Sequence, residues 1–265
     1  MWTLEQHWDF TWAEEGYYDV PALVEKMIET TGHPKVTMMG YSTGGAQMFY
    51  GLAKRQDWFA ERVNRFVGLS ACQYMRLDTT YENEVLYYSA LDRLGVYNFW
   101  GKDASTLSSE TCAQVSPTSC GFVGFAPPYD GQALPVKSFM YYTQIALEGR
   151  FQEPQSLEKW AAGERYTEPV DLTKIDRVPV SIVHSVSDET CDPVMIEWTY
   201  AQVQSPDKHI RFEHGGHSLY NYETKSSFTD RMVQTIEFGT ITDGASMLNS
   251  AFSGLAVMIS LSALI

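Results

Sequence analysis

Three short, mostly apolar runs are spaced along the chain, Val36 to Met39, Arg65 to Ala71 and Val178 to Val186, and His209 to Phe212 looks like a last short strand. Runs of this length read as buried strands. Between them apolar residues recur at helical spacing. Leu23, Val24, Met27 and Ile28 form one such stripe. Asp19 stands where its N-cap belongs, Pro21 lies in its first turn, and Gly32 stops it. Ala46 to Lys54, Val194 to Val203 and Ser226 to Phe238 also read as helices. A strand, helix, strand order at this spacing predicts a mostly parallel sheet and an α/β fold class.

The pattern breaks between residues 73 and 175. Glu82 to Leu94 and Val136 to Leu147 are helical in pattern, but no strand alternates with them. Thr106 to Tyr129 carries two cysteines and several Pro and Gly residues. This Tyr- and Phe-rich span reads as an inserted, largely helical cap. The expected organisation is therefore 1–72 and 176–240 as two parts of one core, 73–175 as the cap, and 241–265 as a small-residue spacer with an apolar tail.

At 265 residues and 44% hydrophobic content, the chain is large enough for one sizeable core. Its formal net charge of -14 argues against nucleic acid as a partner. Four cysteines, Cys72, Cys112, Cys120 and Cys191, form no C-x-x-C pair and no zinc-spaced cluster, so neither metal nor cofactor is expected. Cys112 and Cys120 suit either a local disulfide or two free thiols. No N-x-S/T acceptor occurs.

The most informative stretch is Val36 to Gly45, VTMMGYSTGG. A strand stops at Gly40, Ser42 sits in Gly40-Tyr41-Ser42-Thr43-Gly44, and a helix follows. G-x-S-x-G in that setting is the nucleophile elbow of α/β-hydrolases. The glycines relieve crowding at a sharp turn. The helix N-terminus offers free N–H groups and positive potential where an oxyanion would form, with the Thr43 backbone N–H as the donor. Asp188 lies just past the third strand, and His217 follows Gly215 and Gly216 after the fourth. The chain order Ser42, Asp188, His217 is that of an α/β-hydrolase triad. Ser42 would attack a carbonyl carbon, His217 would carry its proton, and Asp188 would orient the imidazole. Asp192 and Asp176 compete as the acid, although Asp192 precedes Pro193 and suits a helix cap. His214 competes with His217. His184 lies inside an apolar strand and reads as a core histidine.

These residues resemble the acid lipase family, the gastric and lysosomal acid lipases with their plant, fungal and protist relatives. The resemblance runs from Trp8 to Phe238. It is carried by Trp8-Asp9-Phe10-Thr11-Trp12, Tyr18-Asp19-Val20-Pro21-Ala22, Gly-Tyr-Ser-Thr-Gly in place of the usual Gly-His-Ser-Gln-Gly, Tyr141-Tyr142-Thr143-Gln144, Gly149-Arg150-Phe151-Gln152, Tyr166 to Ile175 and Val178-Pro179-Val180. Ser187-Asp188 to Asp192-Pro193 is similar to the family's acid motif, and His217 with Tyr220 to its final one. The resemblance implies an α/β-hydrolase fold and a serine hydrolase of lipid esters, such as acylglycerols or sterol esters, working at an interface under a mobile cap. Alternatives are a small-ester esterase or peptidase on the same fold, or a catalytically impaired remnant that binds lipid or a partner. Oligomeric state is left open.

Family members carry an N-terminal portion, with a secretion signal, before the stretch that opens this chain. That portion holds the first strands and a His-Gly-rich loop giving a second oxyanion donor. Without those strands, Val36 to Met39 is expected to be an uncovered sheet edge, which invites association. The resemblance also implies a secreted, lysosomal or membrane-associated protein, although MWTLEQHWDF has no positive or apolar signal-peptide region. At the other end, Asp243-Gly244-Ala245-Ser246 and the apolar Gly254 to Ile265 match a GPI-attachment signal, which would associate the chain with a membrane. The alternative is a last helix packed on the domain.

Overall fold

A computed structural model describes residues 3–74, 82–99, 134–218, 225–239 and 257–260. Seven strands lie among them: β1 (Val36–Tyr41), β2 (Val63–Leu69), β3 (Asn98–Phe99), β4 (Leu134–Pro135), β5 (Val180–Ser185), β6 (Lys208–Glu213) and β7 (Val257–Ser260). Five of them form one sheet in the order β6-β5-β2-β1-β7, and every neighbouring pair is parallel. All six residues of β1 and all six of β5 are buried. Strands buried on both faces are largely apolar and need not alternate, which fits the sequences of β1 and β5.

The sheet lies in a compact unit made of Glu15–Tyr74 and Val170–Leu264. On one part of it Met39, Tyr41, Val67, Leu69 and Val183 pack with Met232 and Ile236 of the Lys225–Phe238 helix. Phe49 and Phe66 meet edge to face with centroids 4.8 Å apart, joining the Thr43–Arg62 helix to β2. A second compact unit holds Met1–Glu14 with Met75–Pro169. Its described helices Glu82–Arg93, Val136–Glu148 and Leu157–Ala161 share a core of Val85, Tyr88, Leu91, Val136, Met140 and Trp160. β3 and β4 pair antiparallel. Thr106 to Tyr129, with Cys112 and Cys120, lies outside the described residues. No described helix is long and apolar enough to cross a membrane.

Three expectations change. The edge of β1 is covered: Thr37 to Gly40 pair with Val257 to Ser260 of β7. The middle of the apolar tail is thus an extended sheet strand and not a helix. β-branched Val257 and Ile259 suit that conformation. Asp19 makes no side-chain cap, because Glu15–Asp19 already form a π-helical turn that runs into the Val20–Thr31 helix. A Cβ on Gly16 in that turn would lie 2.4 Å from the Gln47 carbonyl oxygen, so two backbones approach there closely. Finally, Leu23 is exposed, and Val20, Pro21 and Val24 form the buried side of this helix.

Candidate active site

β1 ends at Tyr41, and the Thr43–Arg62 helix begins two residues later. Ser42 makes the whole turn with φ 53° and ψ -127°. A non-glycine residue in that region is strained, and such strain persists only where the surroundings enforce it. Here the Ser42 carbonyl accepts the Gly45 N–H at 2.9 Å and the Cys72 N–H at 3.0 Å, while its N–H donates to Leu69 O at 3.2 Å. Glycine is required on both flanks. A Cβ on Gly40 would lie 2.9 Å from the Gly44 carbonyl oxygen, and one on Gly45 would lie 2.3 Å from the Ala71 Cβ. Thr43 opens the helix, so its N–H is among those with no intrahelical acceptor.

Ser42, His217 and Asp188 come together. Ser42 Oγ lies 2.9 Å from His217 Nε2, and His217 Nδ1 lies 2.9 Å from Asp188 Oδ2. All three are buried. A carboxylate only accepts, so the ring proton belongs on Nδ1, leaving Nε2 to accept from the Ser42 hydroxyl. Asp188 Oδ1 accepts the N–H groups of Thr190 at 2.9 Å and Cys191 at 2.8 Å. Burial raises the Asp188 pKa, but the His217 hydrogen bond and charge, with the two backbone donors, outweigh it and hold the carboxyl below its ordinary value. It is therefore an anion at neutral pH.

The rivals stand elsewhere. Asp192 accepts the Val194 N–H at 2.9 Å and starts the Pro193–Gln202 helix. Asp176 and His214 are exposed. His184 is fully buried behind the acid, with Nε2 2.9 Å from the Cys191 carbonyl oxygen and 3.7 Å from Asp188 Oδ2. The carbonyl fixes the proton on Nε2. Burial pushes this imidazole below its ordinary pKa against the pull of Asp188, so it is neutral. Tyr220 lies outside the described residues.

Several supports were not identified from the sequence. Ser70 Oγ donates to the His217 carbonyl at 3.0 Å, and Glu189 Oε2 accepts the His217 N–H at 3.1 Å. The Tyr41 and His217 rings lie 5.2 Å apart. Cys72 and Cys191, 119 positions apart, form a disulfide with Cα atoms 5.5 Å apart. It ties the segment after β2 to the loop carrying Asp188. Ser70 was findable in principle: it lies in the last residues of the run predicted as a strand from Arg65 to Ala71, at the end where open α/β sheets place their working residues. No spacing rule points to a disulfide of that separation.

The profile of the alpha/beta hydrolase fold family matches residues 7–224. Among curated relatives, Lipase lipl-3 of Caenorhabditis elegans is 29% identical over 94 residues, covering 36% of this chain and 23% of the relative. Lipase 1 of Drosophila melanogaster is 24% identical over 211 residues, covering 72% of this chain and 48% of the relative. The chain thus spans no more than about half the length of these relatives. Two solved structures share the fold. A soluble variant of monoglyceride lipase from Saccharomyces cerevisiae has a TM-score of 0.50 at 18% identity, over 86% of this chain and 70% of that one. DcsB has a TM-score of 0.54 at 16% identity, over 88% and 74%.

Proposed function

We propose that this chain, which belongs to the alpha/beta hydrolase fold family, is a serine hydrolase of carboxylic esters, with lipid esters as its substrate class. The observation that carries the reading is the relay from Ser42 Oγ through His217 to Asp188, with both links at 2.9 Å. Ser42 Oγ attacks the ester carbonyl carbon while its proton passes to His217 Nε2. Asp188 keeps Nδ1 protonated and stabilises the imidazolium. The Thr43 N–H donates to the developing oxyanion, a contribution worth about 100- to 1000-fold in rate. His217 then gives its proton to the departing alkoxide, leaving an acyl group on Ser42. Water, deprotonated by His217, releases the acid. Lipid esters are favoured because the curated relatives are named lipases and because the sequence resembles acid lipases.

The test is turnover of a series of aryl esters from acetate to palmitate, with and without detergent micelles. The reading predicts activity that rises with acyl length and with the interface. A preference for acetate would make the protein a small-ester esterase, and turnover unaffected by Ser42→Ala would refute the nucleophile.

A further inference from the structure

We propose that reduction of the Cys72–Cys191 disulfide uncovers a Zn2+ site made of Cys191 Sγ, His217 Nδ1 and Asp188 Oδ2, and that a metal held there disables Ser42. The ligand atoms of these three buried residues lie within 4.8 Å of one another. Cys191 Sγ is 3.6 Å from His217 Nδ1, which is 2.9 Å from Asp188 Oδ2. Tetrahedral zinc, with bonds of about 2.0 Å to N or O and about 2.3 Å to S, needs its ligands roughly 3.3–3.6 Å apart. Two of the three pairs are already close to that spacing, and the Cys191 Sγ to Asp188 pair, within 4.8 Å, closes to it by side-chain rotation once the disulfide no longer holds the sulfur. The surroundings are also those of a supported site. Asp188 Oδ1 is held by the Thr190 and Cys191 N–H groups, and both carboxylate oxygens face His217 Nδ1, Oδ1 at 3.1 Å and Oδ2 at 2.9 Å. His184 holds the Cys191 carbonyl at 2.9 Å. Such outer hydrogen bonds orient ligands toward a metal.

In the oxidised chain Cys191 has no thiolate to offer, so the disulfide keeps the site closed. A phosphine reductant breaks the S–S bond. Its two electrons give two thiols, and the phosphine takes oxygen from water. Zn2+ then displaces the Cys191 Sγ proton to solvent and takes the Nδ1 lone pair. The one proton of the neutral ring moves to Nε2, which faces Ser42 Oγ at 2.9 Å. Nε2 then has no lone pair for the serine proton. Cys72, once reduced, or a water fills the fourth position. Metal binding is independent of the hydrolase reading; the loss of Ser42 reactivity rests on it.

The experiment compares four samples: oxidised wild type, phosphine-reduced wild type, Cys72→Ser, and Cys72→Ser with Cys191→Ala. Each is dialysed against Zn2+ and then assayed for metal content. In parallel, Co2+ is added to look for a thiolate-to-cobalt charge-transfer band. The reduced wild type and Cys72→Ser are expected to hold one metal per chain with the band, and the other two to hold none. Fluorophosphonate labelling of Cys72→Ser should fall about 100-fold with equimolar Zn2+, the worth of a general base, and return with a chelator. Absence of metal and band in the two thiol-bearing samples overturns the proposal, as does loss of native near-ultraviolet circular dichroism in both. Should Cys72→Ser alone fail to fold, the reduced wild type decides. A band without any labelling before zinc addition leaves the metal site standing and refutes the hydrolase reading instead.

Discussion

Replacing Gly45 by alanine tests how the turn at Ser42 is held. The new Cβ would sit 2.3 Å from the Ala71 Cβ and 2.7 Å from the Ala71 Cα, where ordinary contact begins near 3.4 Å. The shortfall, about 1.1 Å, cannot be absorbed by a side-chain rotation, since one partner is backbone and interiors of this kind are close-packed. The helix N-terminus and residues 71–72 must separate. The Cys72 N–H bond to the Ser42 carbonyl at 3.0 Å crosses that gap and lengthens with it. Overpacking costs about 1–3 kcal/mol, and a weakened buried hydrogen bond adds about 0.5–1.5 kcal/mol. Together these come to about 1.5–4.5 kcal/mol, and at about 2–4 °C per kcal/mol Tm should fall by about 3–18 °C. Ser42 should also lose reactivity, because the displaced helix carries the Thr43 N–H. Scanning fluorimetry gives the first number, and the rate of fluorophosphonate labelling gives the second. A Tm within about 1 °C of wild type, with labelling unchanged, would refute the view that this contact shapes the turn.

Asp188→Asn keeps the shape of the acid but removes the charge that selects the Nδ1–H tautomer. Ester turnover should drop about 10^4-fold with little change in circular dichroism, and a loss under tenfold would reassign the acid. Stability should fall as the medium is acidified, in two stages. His184 is pushed below its ordinary pKa by burial, so the unfolded chain binds its proton first. Its contribution is complete above the ordinary imidazole value of about 6.5 and is lost below it, with a slope of up to about 1.4 kcal/mol per pH unit. Asp188 is also held low, so its contribution is present above about 3.9 and lost as pH drops toward its folded value. Urea unfolding between pH 3 and 8 should show both, and His184→Gln should flatten only the upper stage. A chain ending before Val257 should expose the β1 edge and scatter light on standing; a monodisperse truncated chain would show that β7 protects nothing.

The parts of this fold that were legible in the sequence are those set by local physics. β1, β2 and β5 are dictated by short, mostly apolar runs, β6 by Ile210 and Phe212 alternating with polar residues, and the elbow by glycines that a tight turn demands. Gly32 ends its helix in the left-handed conformation, with φ 71°, as a helix-terminal glycine should. What was not legible depends on partners distant in the chain. The strand conformation of Val257–Ser260 is not suggested by an apolar tail until β1 is seen to need a neighbour. Asp19 has the right residue type for a cap, but the close approach of Gly16 to Gln47 extends the helix backwards past it. His184 reads as a core histidine from its strand, yet only the fold places it against Asp188. The same holds for Cys72 and Cys191, whose pairing follows from how β2 and β5 lie side by side.

In the proposed mechanism Ser42 is a nucleophile activated by His217 and Asp188. The most direct measurement is fluorophosphonate labelling of the folded 265-residue chain, with the modified peptide located by mass spectrometry, beside Ser42→Ala and His217→Ala. A single adduct is expected on the peptide containing Ser42, absent from the first variant and slowed by about 100-fold or more in the second. An adduct elsewhere, or none on a natively folded chain, would contradict it.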